Sequence, residues 1–323
     1  MRYDRDAAIG YARQYWDQPC DDGLFWRTDY PVHIDKMRKV LRAPSSEGWQ
    51  ARFVPDGLGS EHAVFQREVK GTLEEKEIQP WDGLADCAHF LSRCLTAGGF
   101  SVQEISVPKL VEHLKRRPDT KVLAERVTQE QGQRIVDSGI LKKGDMLGYF
   151  NIDPHGDYGG RRQYSHSTMF VGKIRSGDVG RITCHTKSRF AGLSSFPDEW
   201  HLSDAAYAYT FIHISRDDRP QMSLRSTLHG WWKKTDRGGF YYLWVDGRFA
   251  FTMHAARSPH ESPALSMETG HYFSEGGRIT LIWRRTGDVE QWLSAGQHEF
   301  AGILNGVPRS HVIKWTGSRG THL

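Results

Sequence analysis

The chain has 323 residues, 38% of them hydrophobic and 25% charged, which is enough apolar material for folded cores in two domains of ordinary size and excludes an intrinsically disordered polymer. Its 43 basic residues outnumber the 39 acidic ones by four, and no basic tract is dense enough to argue for nucleic-acid binding. No apolar stretch approaches the ~18 residues of a membrane span, and four cysteines without a C-x-x-C pair exclude a disulfide scaffold. The first ten residues, MRYDRDAAIG, carry charges at once and lack the apolar run of a signal peptide, so the expected setting is cytoplasmic as synthesised, with reduced thiols.

In chain order, Ala7, Ala8, Tyr11, Ala12, Tyr15 and Trp16 recur at helical spacing behind Asp4, a plausible N-cap, and predict an opening amphipathic helix. A second helix is expected over Val32–Leu41. Residues 42–80 are turn-rich and charged and read as an insertion, with strands over Ala51–Val54 and Ala63–Val69. Pro80-Trp81-Asp82-Gly83 reads as a turn, after which Phe90, Leu91, Cys94 and Leu95 mark a helical face that Gly98-Gly99 ends. Two further helices are expected over Val107–Lys115 and Gln129–Ser138. Strands follow over Met146–Phe150, His166–Ile174, Arg181–Thr186 and Ala208–Ile214.

The charged, proline-terminated break Ser215–Pro220 divides the chain into expected domains 1–216 and 221–323. Beyond it, Gly230–Thr235, Phe240–Val245, Arg248–Met253, Arg278–Trp283 and Val289–Trp292 read as strands. Asp246-Gly247 supplies the dipeptide of a two-residue hairpin turn. This tail is expected to be an all-β sandwich or barrel, and helices followed by a meander make the first part α+β.

Cys87 falls in the first turn of its helix, where free N–H groups and the positive end of the dipole favour a thiolate. Nucleophilic cysteine chemistry also needs a base and a group to orient it. His166 opens a strand, and His185 follows one strand later, within reach of a neighbouring imidazole because adjacent strands lie ~4.8 Å apart. Cys94 is the better candidate for a packed cysteine, and Cys184 is expected to point into the sheet. His89 is expected to face solvent, and Asp86 to cap its helix.

Tyr3 to Ala8 with Tyr11-Ala12, then Asp86-Cys87 with Phe90, Ser92 and Gly98-Gly99, then Gly144-Asp145, His166-Ser167 and His185-Thr186, in that order, resemble the amidase-domain branch of the NlpC/P60 cysteine peptidases. The resemblance spans residues 1–214 in scattered blocks. It implies a papain-like fold, with helices packed on an antiparallel sheet. It also implies hydrolysis of an amide, often in cell-wall peptides, through a thioester on Cys87 with His166 as general base and His185 as orienting residue. This chain departs from the branch in carrying Ala88-His89 where Thr-Asn is usual and Arg93 where Gln is usual. It also adds residues 42–80 and the loop 153–164.

Two alternatives are drawn from the same residues. Asp86-Cys87-Ala88-His89-Phe90 also resembles the Asn-Cys-Glu-His-Phe motif of lecithin:retinol acyltransferase-like proteins, which would make His62 the base. A catalytically silent protein binding through its aromatic tail is the other. Sixteen histidines include no H-E-x-x-H and no pairing with cysteine at zinc spacing, and Asp153–Asp157 reads as a Gly-rich loop, so no metal and no cofactor are assigned. The expected partner is a peptide or peptidoglycan fragment. The tail holds six of the eleven tryptophans, expected mainly as core with a carbohydrate or protein surface at one or two. A cell-wall substrate would call for a specialised secretion route, as antagonistic bacterial effectors use.

Overall fold

The computed structural model describes residues 2–16, 20–22, 24–27, 30–33, 50–55, 61–78, 86–152, 162–174, 178–185, 189–191, 193, 198–201, 207–215, 228–235, 238–254, 261–275, 277–296 and 299–315. The chain opens with helix α1 (Arg5–Tyr15), a hairpin of β1 (Leu24–Arg27) and β2 (Tyr30–His33), and an antiparallel trio of β3 (Gln50–Pro55), β4 (Glu61–Val69) and β5 (Thr72–Ile78). Helices α2 (Cys87–Ala97) and α3 (Val107–Arg116) lead to β6 (Thr120–Val127) and α4 (Gln129–Asp137). Then come β7 (Met146–Asn151), β8 (Tyr164–Gly172), β9 (Arg181–Cys184), β10 (Arg189–Phe190) and β11 (Tyr207–Ile214). The remainder is all strand: β12 (Gly230–Lys234), β13 (Phe240–Leu243), β14 (Arg248–Thr252), β15 (Glu268–Glu275), β16 (Arg278–Trp283), β17 (Val289–Gly296), β18 (Glu299–Leu304) and β19 (Val307–Trp315).

This architecture overturns the expected papain-like α+β fold. The chain is mostly β, with nineteen strands against four α-helices among the described residues, eight of the strands closing a barrel. Several strands of the first half have sequences without an alternating pattern. Thr72–Ile78 is charged along its length, and Thr120–Val127 sits between two helices, yet both pair into antiparallel ladders. Strands β15, β18 and β19 were likewise not expected. The helix expected over Val32–Leu41 has its first two residues in β2, and the rest lies outside the described residues.

Two compact units, each discontinuous in sequence, make up the molecule: Met1–Arg116 with Lys142–Tyr207, and Arg117–Leu141 with Ala208–Leu323. In the first, α1 begins as its sequence dictates, the Asp4 side chain accepting from the Ala7 N–H at 2.9 Å. Strands β10, β9, β8 and β7 lie side by side and antiparallel, and α2 packs against α1, β8 and β9. Two blocks of the sequence resemblance are here a single contact. Tyr3 Oη donates to the Gly144 carbonyl at 2.9 Å, and Arg5 makes a 2.7 Å ion pair with the fully buried Asp145. These residues anchor α1 to the turn before β7. Gly98 ends α2 where nothing larger fits, since a Cβ there would lie 2.4 Å from the Tyr3 ring.

In the second unit α4 carries a capping box, with Thr128 and Gln131 each bonding the other's backbone N–H, and β6 pairs with β11. The barrel closes through β12 and β19, with Lys233 opposite Lys314. Its interior is aromatic: Trp232, Tyr241, Tyr272 and Trp292 are buried, each contributing roughly 2–3 kcal/mol by leaving water. Alternation along β13 sends Tyr241 and Leu243 into that core, while Tyr242 and Trp244 are buried in a second cluster with Trp231. Glu290 is buried in the core and satisfied, accepting from Tyr241 Oη at 2.8 Å and from Trp292 Nε1 at 3.0 Å. Gly270 lets β15 meet β16, for a Cβ there would stand 1.9 Å from the Ile282 carbonyl oxygen.

Candidate functional site

The candidate site is built on α2 in the first unit. Almost every side chain in its first half is buried, because the helix lies between α1 and the β8–β9 face. Cys87 is the first helical residue and is 2% exposed. Burial pushes its thiol above the ordinary value, and the adjacent Asp86 charge adds to the rise. Groups of Ser167 on β8 and the Ala88 N–H offset only part of this. Burial thus works against the thiolate that the helix N-terminus is expected to favour. The Ser167 hydroxyl, itself buried, has no hydrogen bond of good geometry, so a thiolate formed during reaction would supply the acceptor it lacks.

His166 immediately precedes Ser167, so the strand that touches the sulfur also carries the expected base. Its buried ring packs beside Tyr149 on β7, centroids 5.1 Å apart. The Tyr149 hydroxyl is held in turn, donating to the Trp200 carbonyl at 2.6 Å.

His185 follows β9 and is stacked on Phe90 of α2, ring centroids 4.0 Å apart and 21° from parallel. Its Nδ1 faces Asp86 Oδ2 at 2.5 Å and its Nε2 faces the Tyr15 carbonyl at 2.7 Å. The ring expected to orient His166 is thus engaged with the N-terminus of α2 and the C-terminal end of α1.

Asp86 is corrected as well. Its side chain makes no helix-capping bond; it accepts from His185 on one oxygen and from His89 Nδ1, at 3.0 Å, on the other. Burial would raise its pKa, but these imidazole hydrogen bonds outweigh it and hold the carboxyl below its ordinary value. His89, expected in solvent, is buried at 5% exposure, with Nε2 on Asp22 Oδ2 at 3.0 Å. Burial disfavours its charge, while Asp86 and Asp22 more than compensate and raise its pKa.

Sequence reasoning missed this chain of acid and imidazole groups. The spacing of Asp86 and His89 at i and i+3 on one helical face was the available signal. Cys20 and Asp22, far off in sequence, gave none. All four cysteines are buried and none is in a disulfide, with burial expected for Cys94 and Cys184. His62 lies on β4, opposite Val54, and its side chain is outside the described ones.

The result is a mostly β protein whose candidate site centres on a buried helix N-terminal thiol next in sequence to an acid bridged by two imidazoles. Residues 2–212 match the family model described as Putative amidase domain, more than half of the chain, and the chain belongs to that family. The family points to hydrolysis of amides in general. Searches of curated proteins and of solved structures returned no match.

Proposed function

We propose that the chain cleaves its amide by cysteine nucleophilic catalysis, with Cys87 as nucleophile and His166 as general base. What supports this reading is the placement of Cys87 as the buried first residue of α2, the helix packed against β8, the strand that carries His166. Because burial raises the Cys87 pKa, His166 removes the sulfur's proton as the sulfur attacks the carbonyl carbon, rather than relying on a preformed ion pair. The imidazolium then returns that proton to the departing amine, leaving a thioester on Cys87. Water, deprotonated by His166, attacks the thioester; the acid is released and the sulfur regains its proton. Backbone N–H groups at the start of α2 are the natural donors to the tetrahedral oxyanion. Asp86, braced by His185 and His89, acts as a positioning residue for this end of the helix.

The substrate we favour is a peptide amide of the cell wall, on the strength of the residue order that resembles the NlpC/P60 peptidases. An effector delivered by a specialised secretion route is the setting that suits such a substrate. The test is hydrolysis of peptidoglycan fragments and of simple peptide amides by the wild type, Cys87→Ser and His166→Ala. Loss on the order of ten thousand-fold is expected for the serine variant. Equal turnover by wild type and Cys87→Ser removes the cysteine mechanism, while activity on peptide amides alone removes the cell-wall assignment.

A further inference from the structure

We propose that Cys20, Asp86 and His89 form a binding site for one divalent cation of the zinc type, a brace between the segment after α1 and the N-terminus of α2. All three residues are buried, and one ligand atom from each lies within 4.8 Å of the others. Ligands on a tetrahedral ion with bonds of ~2.0–2.3 Å are separated by about 3.3–3.8 Å, so small side-chain rotations close the gap. Thiolate, imidazole and carboxylate together suit zinc or cobalt, whereas magnesium and calcium take oxygen alone.

The surroundings carry the proposal further than the three donors do. His89 turns one nitrogen to Asp86 and fixes the other on Asp22 at 3.0 Å, the arrangement in which an outer carboxylate orients a ligating imidazole. Asp86 turns one oxygen to His89 and fixes the other on His185 at 2.5 Å. Each of these two ligands is thus held from behind by a partner that leaves its inner atom for the ion. Asp21 pairs with Arg93 at 2.5 Å, and the Cys20 thiol feels the Asp86, Asp22 and Asp21 charges and the Tyr11 hydroxyl. On binding, the thiol proton and the His89 proton that faces Asp86 leave to solvent, the sulfur and nitrogen lone pairs take the ion, and no redox partner is needed. The inference does not depend on Cys87 being a nucleophile.

The experiment is titration of the reduced, chelator-stripped full chain with cobalt, followed by zinc competition. A saturable 1:1 complex is expected, with a near-ultraviolet thiolate-to-cobalt band and the intense visible bands of tetrahedral cobalt. Cys20→Ser should abolish the thiolate band and weaken zinc binding by about 100-fold or more, while Cys87→Ser and Cys94→Ala keep the band. His185→Gln should keep the band and weaken binding about tenfold, the effect of losing an outer partner. Circular dichroism checks each fold; if Cys20→Ser does not fold, His89→Gln must weaken binding at least tenfold. Absence of 1:1 uptake by the wild type, or a thiolate band that survives Cys20→Ser, overturns the site.

Discussion

Replacing Asp86 with asparagine keeps the shape of the side chain and removes the charge that two imidazoles share. The wild-type carboxylate is fully buried and accepts at 2.5 Å from His185 and at 3.0 Å from His89. Charge-assisted hydrogen bonds contribute roughly 1.5–3 kcal/mol each, and removing one partner of a buried ion pair costs about 3–5 kcal/mol. A loss of about 3–5 kcal/mol from the first unit is therefore expected. Its pH dependence has a defined sign. The Asp86 pKa is depressed on folding, so its contribution is present above its unfolded value of 3.8 and fades as pH falls through the lower folded value. The His89 pKa is raised on folding, so its contribution is complete below 6.5 and fades as pH rises through the higher folded value. The gap between wild type and Asp86→Asn should be widest between about pH 4 and 6.5 and narrow on either side. Urea unfolding of the chelator-stripped protein, followed by circular dichroism across pH 3–9, measures it. A gap below about 1 kcal/mol, or one flat across that range, refutes the reasoning.

The remaining expectations are simpler to test. Burial raises the pKa values of the Cys20, Cys87 and Cys94 thiols, so iodoacetamide should label none of them readily in the native protein at pH 8 and all of them after unfolding, as mass spectrometry will show. Rapid native labelling of Cys87 at that pH would contradict its placement. Two glycines of the first unit should respond oppositely to alanine. Gly98→Ala drives a Cβ into Tyr3 and should cost about 1–3 kcal/mol, whereas Gly10→Ala, on an open face of α1, should stabilise by roughly 0.5–1 kcal/mol; thermal unfolding distinguishes them.

Short-range signals were legible in the sequence because short-range physics sets them. Asp4 caps α1, Gly98 follows the last residue of α2, and Asp246-Gly247 turns β13 into β14. The position of Cys87 at the start of a helix was readable for the same reason. Strands with no simple alternation, such as Thr72–Ile78, were not, because their stability comes from partners elsewhere in the chain.

What the sequence determined by itself was therefore the inventory: a helix-borne thiol, two strand histidines in order, and a β-rich aromatic tail. Tertiary structure decided what each does. It closed the tail into a barrel around Trp232 and Trp292, and it turned Asp86 from a cap into an acceptor for His185 and His89. It also buried Cys87 deeply enough for desolvation to raise its pKa against the hydrogen bonds from Ser167 and Ala88. Helix caps depend on atoms a few residues apart, whereas burial and the meeting of Cys20 with His89 depend on how distant segments pack, which no local pattern records.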